Sequence, residues 1–465
     1  MVFSSAIFLL FFLPVVFILN FFIKDKYSNL LLLLASLIFY AWGEPVFILI
    51  MILSIIINWL IGLMLSKTTG SSKTLFLAVG VITNLTLLGH FKYAGFFAQT
   101  ANDIIQKDIF PVIQTSLPIG ISFFTFQALS YVIDVYKEKT EASKSIINVA
   151  LYISFFPQLI AGPIIQYKDI NKQIQHREIT WLAISDGFKR FIYGLSKKVL
   201  ISNTLGLCVD TIYSFNISLI DTKAAWIASI AYTFQIYYDF SGYSDMAIGL
   251  GKMFGFHIPE NFNYPYLSKS ISEFWKRWHI SLGAWFREYL YIPLGGNRKG
   301  SFRTHLNLAI VFLLTGLWHG ATISFILWGI YHGFFSIIER LGLKKLLEKC
   351  KSISIIYTFL IVNFGWVLFR AGDTFFGLKM MEKMIYIPGF SNTNLETWTY
   401  MDSKTIFTLF IAFMGMGTLK SLVPDSIQKK WNGSIIEAIY CIFILILSLS
   451  SIASNTYNPF IYFQF

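Results

Sequence analysis

Charged side chains are scarce in this chain: Asp, Glu, Lys and Arg make up 13% of its 465 residues, against about 25% in ordinary globular proteins. With 55% hydrophobic residues beside that deficit, a soluble fold is excluded and a polytopic membrane protein is implied. Cysteine is nearly absent. Cys208, Cys350 and Cys441 lie too far apart for a disulfide framework or a metal site, so no metal is expected. Met1 to Asn20 lacks the basic start and the small-residue cleavage site of a signal peptide, and reads as the beginning of the first span. Long polar insertions are missing as well. The stretches 101–115, 167–180 and 388–404 are loop-sized and no internal repeat is evident, which leaves no soluble domain to assign.

What the chain has in abundance is apolar runs, recurring from Ile7 to Phe22, Leu30 to Trp42, Phe47 to Leu65, Leu75 to Leu88, Ile121 to Val135, Ile146 to Ala161, Ala224 to Tyr238, Leu306 to Leu317, Ile323 to Ile338, Ile353 to Phe369, Ile406 to Leu422 and Ile435 to Ile452. A bilayer core takes about 20 helical residues, so several of these span outright and the shorter ones are buried or re-entrant pieces. The expectation is an all-α fold of about eleven to thirteen helices. Gly162-Pro163 and Pro293 with Gly295-Gly296 mark helix ends or re-entrant bends. The expected division is one transmembrane domain over 1–465: N-terminal spans in 1–115, a core in 116–340, C-terminal spans in 341–452 and an aromatic tail in 453–465.

The formal net charge of +12 is uneven. Lys24 and Lys26, Lys189 to Lys198 and Arg340 to Lys351 read as basic loops, whose placement bears on which side faces the cytoplasm. The densest block runs from Lys269 to Arg303, where Lys269, Lys276, Arg277, Arg287, Arg298, Lys299 and Arg303 face only Glu273 and Glu288. Aromatic residues interleave it, among them Trp275, Trp278, Trp285 and Tyr289. Interface helices with snorkelling cations look like this. The sharper reading is a docking site for a phosphorylated cofactor, with Lys276, Arg277, Arg287, Arg298 and Lys299 meeting its phosphates and Trp278 and Trp318 lining its path. Nucleic acid does not suit a chain this embedded in lipid.

His319, in Trp318-His319-Gly320, stands in one of the most apolar reaches of the sequence. A titratable ring in a membrane segment is a functional-site candidate by default, because its desolvation costs several kcal/mol. The plainer reading is a satisfied structural histidine. His279 lies 40 residues earlier among bulky rings, and two helices joined by a turn would bring both imidazoles to one depth. His332 reads as structural, and His90, His176, His257 and His305 as surface residues. Asp239 and Asp245 flank Ser241-Gly242, where a helix break is expected; capping or a buried hydrogen-bond network suits them better than catalysis.

Trp318-His319-Gly320 with Trp328-Gly329-Ile330-Tyr331-His332-Gly333, the run Phe274 to Leu282, Tyr289-Leu290-Tyr291-Ile292-Pro293-Leu294-Gly295-Gly296, Asp239-Phe240-Ser241-Gly242-Tyr243-Ser244-Asp245, Ala161-Gly162-Pro163-Ile164, Pro118 to Phe124 and the opening Met1-Val2-Phe3-Ser4-Ser5 follow one another in order along nearly the whole chain. In these segments the chain resembles the membrane-bound O-acyltransferases, specifically the branch serving alginate and peptidoglycan O-acetylation, with the teichoic-acid D-alanylation proteins more distant. The resemblance implies a helical funnel with a tunnel through the bilayer of a bacterial plasma membrane, and places the family's catalytic histidine on His319. His279 falls where many relatives have Asn or Asp, which leaves it to orient the acyl carbonyl or the acceptor. It further implies acetyl-coenzyme A as donor substrate, with no resident cofactor, and an extracytoplasmic esterase-like (SGNH) transferase as partner that delivers the acetyl group to a cell-surface glycan.

An acceptor hydroxyl attacking a thioester must lose its proton, and histidine, with an ordinary pKa near 6.5, is suited to take it. His319 is therefore the expected general base; Trp318, His279 or backbone amides are candidates to hold the oxyanion. The chain ends Asn458-Pro459-Phe460-Ile461-Tyr462-Phe463-Gln464-Phe465. An aromatic anchor at the interface explains such an end. The alternative is that Tyr462 carries the acyl group transiently, since the end resembles that of the small partner peptide in D-alanylation systems. D-alanyl transfer to teichoic acid and a polytopic transporter stand as competing functions. A transporter should spread its informative residues over two halves, whereas here they gather between 235 and 335.

Overall fold

The computed structural model describes residues 1–112, 116–386, 399–418, 423–454 and 457–461. Among these the chain is helical without a strand. Four helices are long and apolar enough to cross a membrane alone: Ile48–Lys67, Gly70–Ile105, Lys351–Ala371 and Ile435–Ser454. The chain is a multi-pass membrane protein. It packs as two compact units, one of residues 1–191 with 244–259 and one of 192–243 with 260–465.

The first unit is built around α5. Before it come α1 (Phe8–Phe22), α2 (Asp25–Ala41), α3 (Ile48–Lys67) and α4 (Gly70–Ile105). In α5 (Ile121–Tyr136) every residue from 121 to 135 except Ile133 is buried. Apolar residues dominate it on every side, and the polar ones, Ser122, Thr125, Gln127, Ser130 and Asp134, are buried with them. Small residues admit it: a Cβ on Gly62 of α3 would meet the Tyr131 ring, and one on Gly80 of α4 would lie 2.9 Å from Val132. Asn58 and Asn84 exchange side-chain amide hydrogen bonds of 3.2 and 2.6 Å between α3 and α4, which satisfies both groups away from water.

Two stretches expected as loops are helices. Tyr167–Gln175 forms α6, since Ile170 and Ile174 recur on one face and bury there. Residues 189–198 continue from α7 (Trp181–Ser196) into a π-helical turn, and Lys198 is buried rather than solvated. Of the expected loop 388–404, residues 388–398 lie outside the described residues.

The second unit carries α8 (Asn203–Tyr213), α10 (Ile271–Arg277), α11 (Ile280–Phe286), α12 (Gly300–His319), α13 (Ile323–Ile338), α14 (Lys351–Ala371) and α15 (Ile435–Ser454). Helix α9, Thr222–Met253, begins in it and runs on unbroken through Ser241-Gly242, where a break was expected. Gly242 serves close packing instead. A Cβ there would lie 2.8 Å from the Gly194 carbonyl oxygen, so the missing side chain lets the end of α7 approach.

Candidate active site

Local chemistry sets the start of α10. The Ser270 hydroxyl accepts from the Glu273 amide (3.0 Å), and the Glu273 carboxylate accepts from the Lys269 amide (3.0 Å). Glu339, buried after α13, also caps it, accepting from the amides of Ile271 (2.6 Å) and Ser272 (3.1 Å). A carboxylate at a helix N-terminus meets the positive end of the dipole. Sequence reading assigned Glu339 no role, because its partners are nearly 70 positions away.

His279 follows α10 and begins α11 with φ 45° and ψ 52°, the left-handed region. For a residue with a side chain this conformation costs about 1–3 kcal/mol. Asn261 holds the turn. Its carbonyl oxygen Oδ1 accepts from the Ser281 amide (3.1 Å) and the Ser281 hydroxyl (2.8 Å), and lies 3.3 Å from His279 Nδ1; its backbone carbonyl accepts from Ile280 (3.0 Å). His279 is 1% exposed, its ring edge-on to Phe240 at 4.6 Å between centroids. Asn261 is a residue the sequence reading missed; it is one of two amides, with Asn263, set among Phe262, Tyr264 and Tyr266, and nothing local marks it out.

From His279 the chain runs out through α11 and a π-helical turn, Arg287–Tyr291, and returns along α12. Asn307 fastens the bend by donating to the Gly296 carbonyl at 2.9 Å, and Gly295 and Gly296 supply its positive φ values of 108° and 57°. His319 closes α12 and is 3% exposed. Its ring is walled by Trp318 (4.9 Å), Trp328 (5.1 Å) and Phe369 (5.1 Å). Trp318 in turn faces His279 at 5.9 Å. Both imidazoles therefore pack on one indole.

Glycines close the α12–α13 hairpin. Gly316 and Gly329 meet with backbone against backbone, for a Cβ on Gly316 would lie 2.3 Å from the Phe325 carbonyl and one on Gly329 2.4 Å from that of Phe312. The glycine of Trp-His-Gly is required by space: a Cβ on Gly320 would sit 2.3 Å from the Phe325 ring. His332 is buried with its ring against Trp275 (5.2 Å) and Trp328 (5.1 Å), backing the wall behind His319.

The basic block is spread out. Arg277 pairs with Glu273 (2.8 Å) and donates to the Asn263 carbonyl (3.3 Å); Lys276 beside it is exposed. Arg287, Arg298 and Lys299 are exposed too. Arg298 and Lys299 precede α12 and His319 ends it, so a helix of about 30 Å separates them. Trp278 is 2% exposed and packs on Phe274 (5.6 Å) and Trp366 (4.8 Å), which places it in an aromatic core. Tyr462 lies outside the described residues. Among the described residues no cluster of metal-ligating side chains occurs.

Two buried histidines packed on one tryptophan in a helical membrane protein define a class of site, and similarity names it. Residues 72–349 match the membrane-bound O-acyltransferase family, to which this chain belongs. It is an acyltransferase. The chain is 41% identical to a probable alginate O-acetylase of Pseudomonas putida over the full length of both. It is 34% identical to a peptidoglycan O-acetyltransferase of Helicobacter pylori, covering all of this chain and 98% of that one. A teichoic acid D-alanyltransferase of Bacillus subtilis is 28% identical over 54% of this chain and 68% of its own length.

Asn261→Ala is expected to free the turn at His279 and lower the rate of acyl transfer roughly tenfold or more, since misplacing a site group by about 1 Å can cost 10²-fold. Steady-state acyl-transfer assays on the purified variant check this; an unchanged rate would remove Asn261 from the site.

Proposed function

We propose that this protein moves acetyl groups from cytoplasmic acetyl-coenzyme A to an extracytoplasmic cell-surface polysaccharide, with His319 as general base. The single observation that carries the reading is the burial of His319 at the head of the α12–α13 hairpin, inside a wall of Trp318, Trp328 and Phe369. Full-length likeness to O-acetylating relatives, against partial likeness to D-alanylating ones, supports acetyl as the group moved.

In this reading Tyr462 is the first acceptor. Its phenolic oxygen attacks the thioester carbonyl carbon and forms the new C–O bond while its proton passes to His319. The tetrahedral oxyanion then collapses and breaks the C–S bond. The imidazolium returns the proton to sulfur, so acetyl-coenzyme A and tyrosine become O-acetyltyrosine and coenzyme A. A hydroxyl on an extracytoplasmic esterase-like transferase next attacks the acetyl carbonyl carbon, the bond from that carbon to the tyrosine oxygen breaks, the hydroxyl's proton passes to that oxygen to regenerate the phenol, and the transferase hands the acetyl group on to the glycan. His279, which packs on the same indole as His319, serves to orient the carbonyl or the acceptor. Lys276 and Arg277, which closely precede His279 in the chain, would meet the donor phosphates electrostatically, whereas Arg298 and Lys299 stand a helix length away from His319.

Purified protein given radiolabelled acetyl-coenzyme A should release the free thiol and carry label on the peptide containing Tyr462. Tyr462→Phe should abolish that label and the acetylation of surface glycan in cells, read by mass spectrometry. Full glycan acetylation in that variant would sink the carrier step. Movement of substrate across vesicles without acyl chemistry would sink the whole reading.

A further inference from the structure

A buried ion pair in the second unit ends on the main chain of the C-terminal segment. Lys198 Nζ lies 2.6 Å from Asp239 Oδ1, with side chains 3% and 0% exposed. Asp239 Oδ1 also accepts from the Ser202 hydroxyl at 3.3 Å. The capacity left on each partner is spent on the tail: Lys198 donates to the Pro459 carbonyl oxygen, and Asp239 Oδ2 accepts from the Ile461 amide at 3.0 Å. Neighbouring residues continue the grip. Asn203 donates to the Tyr457 carbonyl (3.3 Å) and to Asn458 Oδ1 (3.2 Å), and Phe460 lies on the Tyr243 ring at 4.8 Å. The Tyr457 hydroxyl donates to Asp210, which also pairs with Arg370 at 2.6 Å. Gly206 leaves room for this, since a Cβ there would lie 2.8 Å from the Tyr457 hydroxyl oxygen.

An aromatic anchor at a membrane interface needs none of this. Taking two charges out of water costs several kcal/mol per ion, recovered only when their remaining hydrogen-bonding capacity is met. Here it is met by backbone groups of residues 459 and 461, on both sides of Phe460. Phe240, the residue after Asp239, packs its ring on His279.

We propose that Lys198 and Asp239 form a socket that holds the main chain of residues 459–461 next to the His279 wall, and so act as positioning residues that set where the chain's last residues are presented for acyl transfer. The inference rests on Tyr462 as acceptor for its catalytic consequence, though the socket itself does not. Because the grip is on backbone atoms, side-chain changes at Ile461 should matter little while loss of the pair should matter greatly.

The test uses the full-length purified protein with three variants: the doubly neutral Lys198→Met/Asp239→Leu, which leaves no stranded charge; Gly206→Leu, which fills the seat of Tyr457 and touches no charge; and Tyr462→Phe. Each is exposed to carboxypeptidase and followed by intact mass, and each is assayed for label transfer from acetyl-coenzyme A. In the unaltered protein and in Tyr462→Phe, trimming should stop short of Ile461. In both socket variants it should run past Tyr457, with kcat at least tenfold lower and KM for acetyl-coenzyme A unchanged. Equal trimming in all four proteins overturns the socket, and so does a released tail with unchanged kcat in a protein whose Tyr462→Phe variant is inactive. If Tyr462→Phe keeps full activity, the carrier reading fails instead and the trimming pattern alone decides the socket. Should the double variant not fold, Gly206→Leu carries the same comparison.

Discussion

Replacing His319 with alanine is expected to lower acetyl release from acetyl-coenzyme A by about 10²- to 10⁴-fold, the range over which a positioned general base accelerates proton transfer. The proposed proton transfer must be separated from packing. The ring packs against Trp318, Trp328 and Phe369, so alanine also leaves a hole. Holes of that kind cost about 1–3 kcal/mol of stability and could lower yield without touching chemistry. His319→Gln fills most of the volume and keeps a hydrogen-bonding end, yet it cannot take a proton at neutral pH. Both variants should be inactive, and the glutamine variant should accumulate and unfold much as the parent does. A glutamine variant retaining more than a tenth of the parent rate would show that His319 is a packing residue and would move the base elsewhere.

Gly329→Ala is expected to cost about 3 kcal/mol or more, the upper reach of overpacking effects, and to deplete the folded protein recovered from membranes. The added methyl would stand 2.4 Å from the Phe312 carbonyl oxygen and 3.3 Å from the Gly316 Cα. These obstacles are backbone, so no side-chain rotation relieves them. The α12–α13 hairpin must part instead, carrying Trp328 away from His319. Gly89→Ala is the matched comparison: nothing lies within 4 Å of the added methyl there, and in a helix the change is expected to stabilise by up to about 1 kcal/mol. The same chemical change should thus act with opposite sign at the two positions, measured as thermal unfolding in detergent. Equal effects would mean that the glycine contact at the hairpin is not tight.

Membrane residence and helical class were legible because they depend on amounts. A 13% charged fraction and a series of apolar runs cannot be satisfied in water whatever the chain does. His319 was legible for a related reason, being a polar ring whose near neighbours are hydrocarbon and aromatic. Helix α6 and the burial of Lys198 were not, since polar residues at the ends of elements look alike whether water or protein meets them. Gly242 was read as a break because a glycine's local cost is visible in sequence, whereas the helix that passes close to it is not.

The chain's own order of residues settled that it lives in a bilayer and that it is helical, and it singled out a lone histidine between tryptophan and glycine as the candidate for chemistry. Each follows from local composition, because burying a group in lipid is judged residue by residue. Tertiary structure alone decided that Asn261 steadies the turn at His279, that Glu339 caps α10, and that Lys198 and Asp239 close on the tail. Those pairings join residues 18, 68 and more than 220 positions apart. A hydrogen bond has a range of about 3 Å, and which donor comes within it is set by how helices pack, a property no single stretch of sequence contains.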